Sequence, residues 1–153
     1  MNKVTLLCVA AIGLMMTACN GNKIYNQYQH TPIAGWEKND TLPFDIPPIA
    51  TDGNYGMDLG LRINNAYPFM GLTLIIERTV YPGHTVTTDT LDCKLFDENG
   101  SVKGQGVSYY QFHYHVNDLP LHRGDSLHIA VRHDMKREIL PGISDIGIEL
   151  ERK

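Results

Sequence analysis

Apolar and polar residues alternate along most of this chain after residue 40. The clearest stretch is residues 55–63, where Tyr, Met, Leu, Leu and Ile are separated by Gly, Asp, Gly and Arg. Because successive side chains of a strand point to opposite faces, this period of two predicts a strand with one buried face. Similar patterns predict further strands at residues 42–46, 72–80, 86–96, 102–116, 126–132 and 145–151.

Turn-forming residues separate these segments, and helical periodicity is nearly absent. Asn99-Gly100 is the best two-residue hairpin turn of the sequence, because both residues tolerate the positive φ that such a turn needs. The one short helical candidate is residues 134–140, which end at Pro141-Gly142. Many strands with one polar face and no strand–helix alternation predict an all-β fold, an antiparallel β-sandwich of jelly-roll or immunoglobulin-like type, over residues 40–153.

The N-terminal segment has a different pattern, an uncharged apolar run at residues 4–18 that follows a single lysine. The run is shorter than the roughly 20 residues that cross a bilayer as a helix, and its layout is typical of a secretory signal peptide. The residues Met-Thr-Ala before Cys19 resemble the bacterial lipobox. We therefore expect removal of residues 1–18, lipidation of Cys19, and a tether over residues 19–39. Two or more acyl chains hold a protein stably at a bilayer, so this anchor needs no membrane-spanning segment.

Charge and cysteine content narrow the function classes further. The chain has a net charge of -4 and no run of Lys or Arg, so it lacks the basic footprint of a nucleic-acid-binding protein. Of the three cysteines, Cys8 lies in the segment to be removed and Cys19 is expected to carry lipid. Cys93 is then left without a partner for an internal disulfide, and we expect it to be a small buried apolar residue.

Histidines are the first candidates for chemistry, because His113 and His115 share one face if they lie on a strand. Two imidazoles at this spacing form half of a zinc site, whose third ligand would be His84, His122 or His128. An exposed pair of histidines on a solvated face explains the same pattern. No serine lies in a nucleophile elbow and no glycine-rich loop opens a helix. We therefore expect neither an enzyme nor a cofactor.

Three aromatic residues, Trp36, Tyr67 and Phe69, are candidates for contact with a partner protein or a glycan. Aromatic rings stack on sugars and dock partners, and Tyr67 and Phe69 flank a proline in a predicted exposed turn. The alternative is that Trp36 packs the tether onto the sandwich and that the turn folds back onto the core. A glycan-binding surface predicts a planar row of exposed rings, drawn from these three residues and from Tyr81, Tyr109 and Tyr110.

Four segments carry a wider resemblance. They are the Tyr-rich lead KIYNQYQ, the Trp36 segment GWEKNDTLPFDI and, most specifically, RINNAYPFMGL at residues 62–72 and LPGISDIGIELE at residues 140–151. In content and order these segments resemble the gliding motility lipoprotein GldH family of the Bacteroidetes. The resemblance covers essentially the whole chain after Cys19, and none of its segments is a catalytic signature.

This resemblance implies a lipoprotein of the cell envelope, associated with the machinery that moves adhesins along the surface of gliding bacteria. It implies no enzymatic activity, cofactor or catalytic residue. We therefore expect a non-enzymatic scaffolding component of an envelope complex with an envelope protein as partner; the alternative is a glycan- or peptidoglycan-binding lipoprotein. The residues after Cys19 lack the acidic cluster that directs some lipoproteins of this phylum to the cell exterior, which favours a periplasm-facing attachment to the outer membrane.

Overall fold

The computed structural model describes residues 2–4 and 21–153, so the predicted cleavage and lipidation site at Cys19 lies outside the described residues. Among the described residues, no helix has the length and apolar character needed to cross a membrane. The strands are β1 (Lys23–His30), β2 (Trp36–Glu37), β3 (Leu42–Ile46), β4 (Gly53–Asn64), β5 (Gly71–Tyr81), β6 (Thr85–Lys94), β7 (Tyr109–Leu121), β8 (Ser126–His133), β9 (Ile139–Leu140) and β10 (Ile143–Arg152).

Two four-stranded antiparallel sheets form the body of the fold. The first sheet has the order β1-β10-β4-β7 and the second β3-β8-β5-β6, while β2 and β9 form a separate short ladder. If the long strands are counted in chain order, the two sheets read 1-8-3-6 and 2-7-4-5. This is the order of a jelly roll, which is built from two Greek keys. The predicted all-β antiparallel sandwich is confirmed, and of its two variants the jelly roll is the one formed.

The core lies between the two sheets and follows from the alternation along their strands. On β4 the apolar side chains of Tyr55, Met57 and Leu59 are buried, and the residues between them face outward. Burial of each large apolar side chain contributes about 1.5–3 kcal/mol. Cys93 is also buried, as predicted, and burial raises the pKa of its thiol to about 12. At neutral pH this cysteine is therefore an unreactive thiol.

The strand directions define two ends of the sandwich. At the end that we call the Lys23 end, β1 and β4 begin and β7 and β10 finish, because Lys23 pairs with Glu151 and the strands are antiparallel. At the opposite end, the Asn64 end, β4 finishes at Asn64 beside Tyr109, the first residue of β7. In the second sheet, β8 begins at the Lys23 end, where β7 finishes. β5 begins at the Asn64 end, where β4 finishes.

The segment predicted as a tether contains two strands. β1 pairs with β10 along its whole length, and Trp36 in β2 pairs with Leu140 in β9. β1 is an edge strand whose side chains are mostly exposed, so its sequence has no apolar alternation to reveal it. Strand pairing within the described residues therefore begins at Lys23, inside the segment predicted as a tether. Three residues, 20–22, separate Cys19 from the first strand in the sequence.

The predicted helix at residues 134–140 is wrong. Residues 136–138 form a bend, and Ile139–Leu140 form β9. The backbone N–H of Asp134 donates to the Thr73 carbonyl at 2.8 Å, and the carbonyl of Glu138 accepts the N–H of Lys38 at 2.8 Å. A helix of this length is marginal without packing of its own, and these hydrogen bonds to neighbouring segments take its place.

The Asn99-Gly100 turn forms, but the long strands on its two sides do not pair with each other. Gly100 has a φ of 78°, and Phe96 and Val102 form a single bridge around the turn. β6 belongs to the second sheet and β7 to the first. The chain crosses between the sheets here, so β7 begins later than the predicted strand at 102–116 and continues beyond it.

Trp36 and His133 form a buried pair at the Asn64 end. Their rings are edge-to-face, with centroids 5.3 Å apart. His133 Nε2–H donates to the Trp36 carbonyl at 3.0 Å, and His133 Nδ1 accepts the N–H of Met135 at 3.3 Å. These two hydrogen bonds require the neutral imidazole, because a protonated ring has no acceptor. Burial is the main cause that lowers the pKa of His133, although its backbone hydrogen bonds oppose this shift.

Acid is expected to destabilise the fold through His133. The contribution of His133 to the free energy of unfolding is complete above the ordinary histidine pKa of about 6.5. It declines as the pH falls below that value towards the lowered pKa of His133 in the folded state. The variant His133→Gln retains a donor for the Trp36 carbonyl and cannot be protonated. In urea titrations at about pH 7.5 and about pH 5 it should lose less free energy of unfolding than the native chain does. Equal losses in the two proteins would contradict this role.

Candidate functional site

Two of the aromatic residues predicted to contact a partner or a glycan are buried. Trp36 is 0% exposed, and its indole Nε1–H donates to the Asp40 carbonyl at 2.8 Å. Tyr67 is also buried, and its hydroxyl donates to the Gly71 carbonyl at 2.7 Å. Neither ring is therefore accessible to a partner or to a sugar. The turn at residues 65–70 folds back onto the core, as the alternative interpretation has it.

The remaining aromatic candidates do not form a row. Phe69 is half-buried and contacts Tyr67 edge-to-face, with ring centroids 5.7 Å apart. Tyr81 and Tyr109 are exposed, but Tyr81 ends β5 at the Lys23 end and Tyr109 begins β7 at the Asn64 end. Within residues 21–153 these rings offer no planar platform of the kind that a glycan-binding face needs.

Phe69 instead lines an apolar groove at the Asn64 end, where β5 begins and β6 finishes. Its volume is about 470 Å³. On one side of the groove lies Met70, whose side chain is 63% exposed. On the other side lies Met135, whose sulfur accepts the backbone N–H of Thr73 at 3.4 Å. The lining residues are Phe69, Met70, Gly71, Leu72, Thr73, Asp92, Cys93, Lys94 and Met135. Methionine side chains are flexible and polarizable, so a surface of this kind adapts to the shape of a partner.

Further exposed apolar side chains lie at the same end of the sandwich. Ile33 follows β1, Tyr109 begins β7, and Ile139 belongs to β9. Ile33 and Tyr109 line a second cavity of about 570 Å³ together with Asn64. Exposed apolar surface next to a cavity is typical of a site of interaction with another molecule. The Asn64 end is therefore the candidate contact surface of the fold.

His113 and His115 share the outer face of the first sheet, as strand alternation predicts, without a third histidine nearby. His115 Nδ1 lies 2.7 Å from Asp58 Oδ1, and its Nε2 lies 3.3 Å from Asp118 Oδ1. Among the side chains that the structure describes, no three His, Cys, Asp or Glu residues are placed to hold a metal ion. The candidate third ligands lie in the turns after β5 and β7 and on β8 of the second sheet, namely His84, His122 and His128.

A polar cluster on the outer face of the first sheet holds β1 in place, and the sequence patterns did not indicate it. The Tyr28 ring lies across Gly147 and Gly60, which occupy the next two strands. The Tyr28 hydroxyl accepts a hydrogen bond from the Gln111 amide at 3.0 Å, and Arg62 Nε–H donates to Gln111 at 2.6 Å. The guanidinium carbon of Arg62 lies 4.0 Å from the Tyr28 ring centre, a cation–π contact. The ring is thus enclosed on both faces.

The glycines beneath Tyr28 are expected to tolerate no side chain, because a Cβ on Gly60 or Gly147 would collide with the Tyr28 ring or hydroxyl. The variant Gly60→Ala should lower the free energy of unfolding by about 1–3 kcal/mol in urea titrations. The loss should be smaller when Tyr28 is already alanine, which a double-mutant cycle measures. Gly83→Ala is the control, since a Cβ there meets its nearest atom at 3.7 Å. Additive losses would contradict the contact.

Comparison with known sequences identifies relatives along almost the whole chain. The profile of the GldH lipoprotein family matches residues 23–150, which run from the first residue of β1 into β10. The gliding motility lipoprotein GldH of Flavobacterium johnsoniae is 30% identical over 155 residues, which cover 97% of this chain and 95% of that protein. A gliding motility lipoprotein GldH homolog of Christiangramia forsetii is 24% identical over 149 residues, or 91% of this chain and 90% of that protein.

Solved structures resemble this chain more weakly. The family GH115 4-O-methyl-alpha-glucuronidase BtGH115A aligns with a TM-score of 0.47 and 13% identity, over 90% of this chain and 18% of that chain. A family 35 carbohydrate binding module from Clostridium thermocellum aligns with a TM-score of 0.38 and 16% identity, over 83% of this chain and 89% of that chain. At these TM-scores the likenesses carry no weight for function.

The sequence relatives agree with one another and with the expectation from the four resembling segments. Their family is one of lipoproteins of gliding motility, which implies association with the cell envelope, and it is not a known enzyme family. The matched residues include all ten strands in whole or in part. Because the family profile spans most of the chain and the Flavobacterium johnsoniae relative is 30% identical nearly from end to end, the chain belongs to the GldH family of gliding motility lipoproteins.

Proposed function

We propose that this chain is a non-enzymatic lipoprotein of the outer membrane, held by lipid on Cys19, that acts as a scaffolding component of a gliding-associated envelope complex. Family membership and the lipobox-like residues before Cys19 support the anchor. The absence of an acidic cluster after Cys19 favours a site on the periplasmic side of that membrane. The envelope partner is a protein, and it binds at the Asn64 end of the sandwich.

The observation that carries this proposal is the exposed apolar groove beside Met70. A methionine that is 63% exposed, next to the half-buried ring of Phe69, leaves apolar surface in water that a partner would cover. Burial of one such side chain in an interface contributes about 1.5–3 kcal/mol before the costs of association. Asp92 and Lys94 line the same groove with opposite charges. An apolar centre with a polar rim is the usual anatomy of a protein–protein interface.

Site-specific cross-linking in living cells tests this surface. A photo-reactive amino acid at Met70 should give a discrete cross-linked product of the anchored chain, whereas the same amino acid at Thr88, an exposed residue of β6, should give none. A photo-reactive amino acid at Phe69, in the same groove, should give the same product. The variant Met70→Lys should remain in the membrane fraction, lose the cross-link from Phe69, and impair gliding of the host. Equal products from positions 70 and 88, or normal gliding with Met70→Lys, would contradict the proposal.

A further inference from the structure

The start of β1 and the tip of the β5–β6 hairpin lie at the same end of the sandwich. Strand pairing leads from one to the other across both sheets, through the turn between β7 and β8. The pairs along this path are Lys23 with Glu151, Arg152 with Tyr55, Gly53 with Leu121, and Ser126 with Tyr81. The β5–β6 hairpin therefore lies at the same end of the sandwich as Lys23, with β1 and β6 as edge strands on opposite sides of it.

Hydrogen bonds fix the residue before β1 and its neighbours to the Lys23 end of the sandwich. The carbonyl of Asn22 accepts the backbone N–H of Arg152 at 2.8 Å. The Arg152 guanidinium donates to the Asp52 carbonyl at 3.1 Å, and the Asp52 carboxylate accepts the backbone N–H of Arg123 at 2.6 Å. The chain is thus held to the sandwich from Asn22 onward. What remains between this fixed point and Cys19 is short.

The length of that connection limits how far the sandwich can stand from a lipid on Cys19. Three residue steps separate Cys19 from Asn22, and a fully extended chain spans at most about 11 Å over three steps. A lipid-bearing Cys19 lies at the membrane surface. The Lys23 end is then the end that meets the bilayer, and the Asn64 end points away from it.

The β5–β6 hairpin has the composition of a segment that contacts the headgroup region. Residues 79–88 contain no Asp, Glu, Lys or Arg. Two large side chains at the tip are exposed, Tyr81 at 38% and Val86 at 53%. Tyrosine is enriched at membrane–water interfaces because its ring is apolar and its hydroxyl remains hydrated. The Tyr81 ring also contacts the His84 ring edge-to-face at this tip, with ring centroids 5.3 Å apart.

We propose that the tip of the β5–β6 hairpin, with Tyr81 and Val86, rests in the headgroup region of the membrane that carries the Cys19 anchor. This inference rests on the proposed function, because it requires lipid on Cys19. The anchor and the hairpin are then two points of contact, and the sandwich stands end-on. β5 runs from the Met70 groove to the hairpin, so the groove lies about 33 Å from the membrane surface, where a partner can reach it.

Fluorescence quenching in vesicles tests this orientation. The full-length chain is expressed so that its leader is processed, and the protein is reconstituted in phosphatidylethanolamine–phosphatidylglycerol vesicles that carry a bromine- or doxyl-labelled lipid near the headgroups. Tyr81→Trp is the probe, and Tyr109→Trp, which places a new indole at an exposed position of the Asn64 end, is the matched control. Native Trp36 is buried and supplies a common background, which the unsubstituted protein measures.

The labelled lipid should quench the added fluorescence of Tyr81→Trp several-fold more strongly than that of Tyr109→Trp, and Val86→Trp should behave like Tyr81→Trp. Urea titrations establish that each variant is folded. The mass of the N-terminal peptide separates the two claims. If Cys19 carries lipid and neither Tyr81→Trp nor Val86→Trp is quenched more than Tyr109→Trp, the end-on orientation is overturned and the proposed function stands. If Cys19 carries no lipid, the anchor fails and the orientation fails with it.

Discussion

Replacement of Cys19 by serine is expected to abolish both lipid attachment and removal of the leader. The lipid is joined through the cysteine sulfur, so a hydroxyl at this position cannot take its place. Cys19→Ser should give no labelling by radioactive palmitate in growing cells, and its leader should stay uncut by the lipoprotein peptidase. Loss of the acyl chains removes the lipid anchor on which the proposed function depends.

The leader supplies a matched control for this experiment. Cys8→Ser makes the same chemical change within the segment that is expected to be removed. That variant should be processed, labelled and retained like the native chain. Cys93 cannot take up the label in either variant, because its thiol is buried and its raised pKa keeps it protonated. Palmitate labelling that survives Cys19→Ser would show that the lipobox interpretation is wrong.

Replacement of Trp36 by alanine is expected to have the largest effect on stability. The indole is fully buried, contacts His133 and donates a hydrogen bond to the Asp40 carbonyl. Truncation of a buried tryptophan leaves a cavity and typically costs about 3–5 kcal/mol. A domain of ordinary stability, about 5–15 kcal/mol, would lose a large fraction of its free energy of unfolding. Urea titration followed by circular dichroism measures this loss.

Ile33→Ala is the control for the Trp36 experiment. Ile33 lies three residues earlier in the chain and is exposed, so its truncation should change the free energy of unfolding by no more than about 0.5 kcal/mol. A small loss with Trp36→Ala would mean that the β2–β9 ladder and its indole contribute little to the fold. A large loss with Ile33→Ala would mean that the exposed residues of this segment also stabilise it.

Strands with one buried face could be predicted because burial of every second side chain requires apolar and polar residues to alternate in the sequence. β4 places Met57, Leu59 and Leu61 in the core and leaves Gly, Asp and Arg outside, so its period of two is unmistakable. β1 lacks this signal because it is an edge strand with mostly exposed side chains. Its place is fixed by backbone pairing with β10 and by the Tyr28 ring across two glycines, which are contacts between distant parts of the chain.

The candidate site was only partly predictable for the same reason. Phe69 was identified from its position beside a proline in a turn, and it does line the groove. Tyr67, two residues earlier, has the same local context, but in the folded chain its ring is buried and its hydroxyl donates to the Gly71 carbonyl. Met70 and Met135 face the same groove from segments far apart in sequence. No local pattern connects such residues before the sheets are assembled.

The mass of the N-terminal peptide, measured on protein from the native host, tests the lipid anchor most directly. We expect a peptide that begins at Cys19 and carries a diacylglyceryl group with a further fatty acyl chain. An unmodified thiol at Cys19, or a peptide that retains residues 1–18, would contradict the anchored lipoprotein.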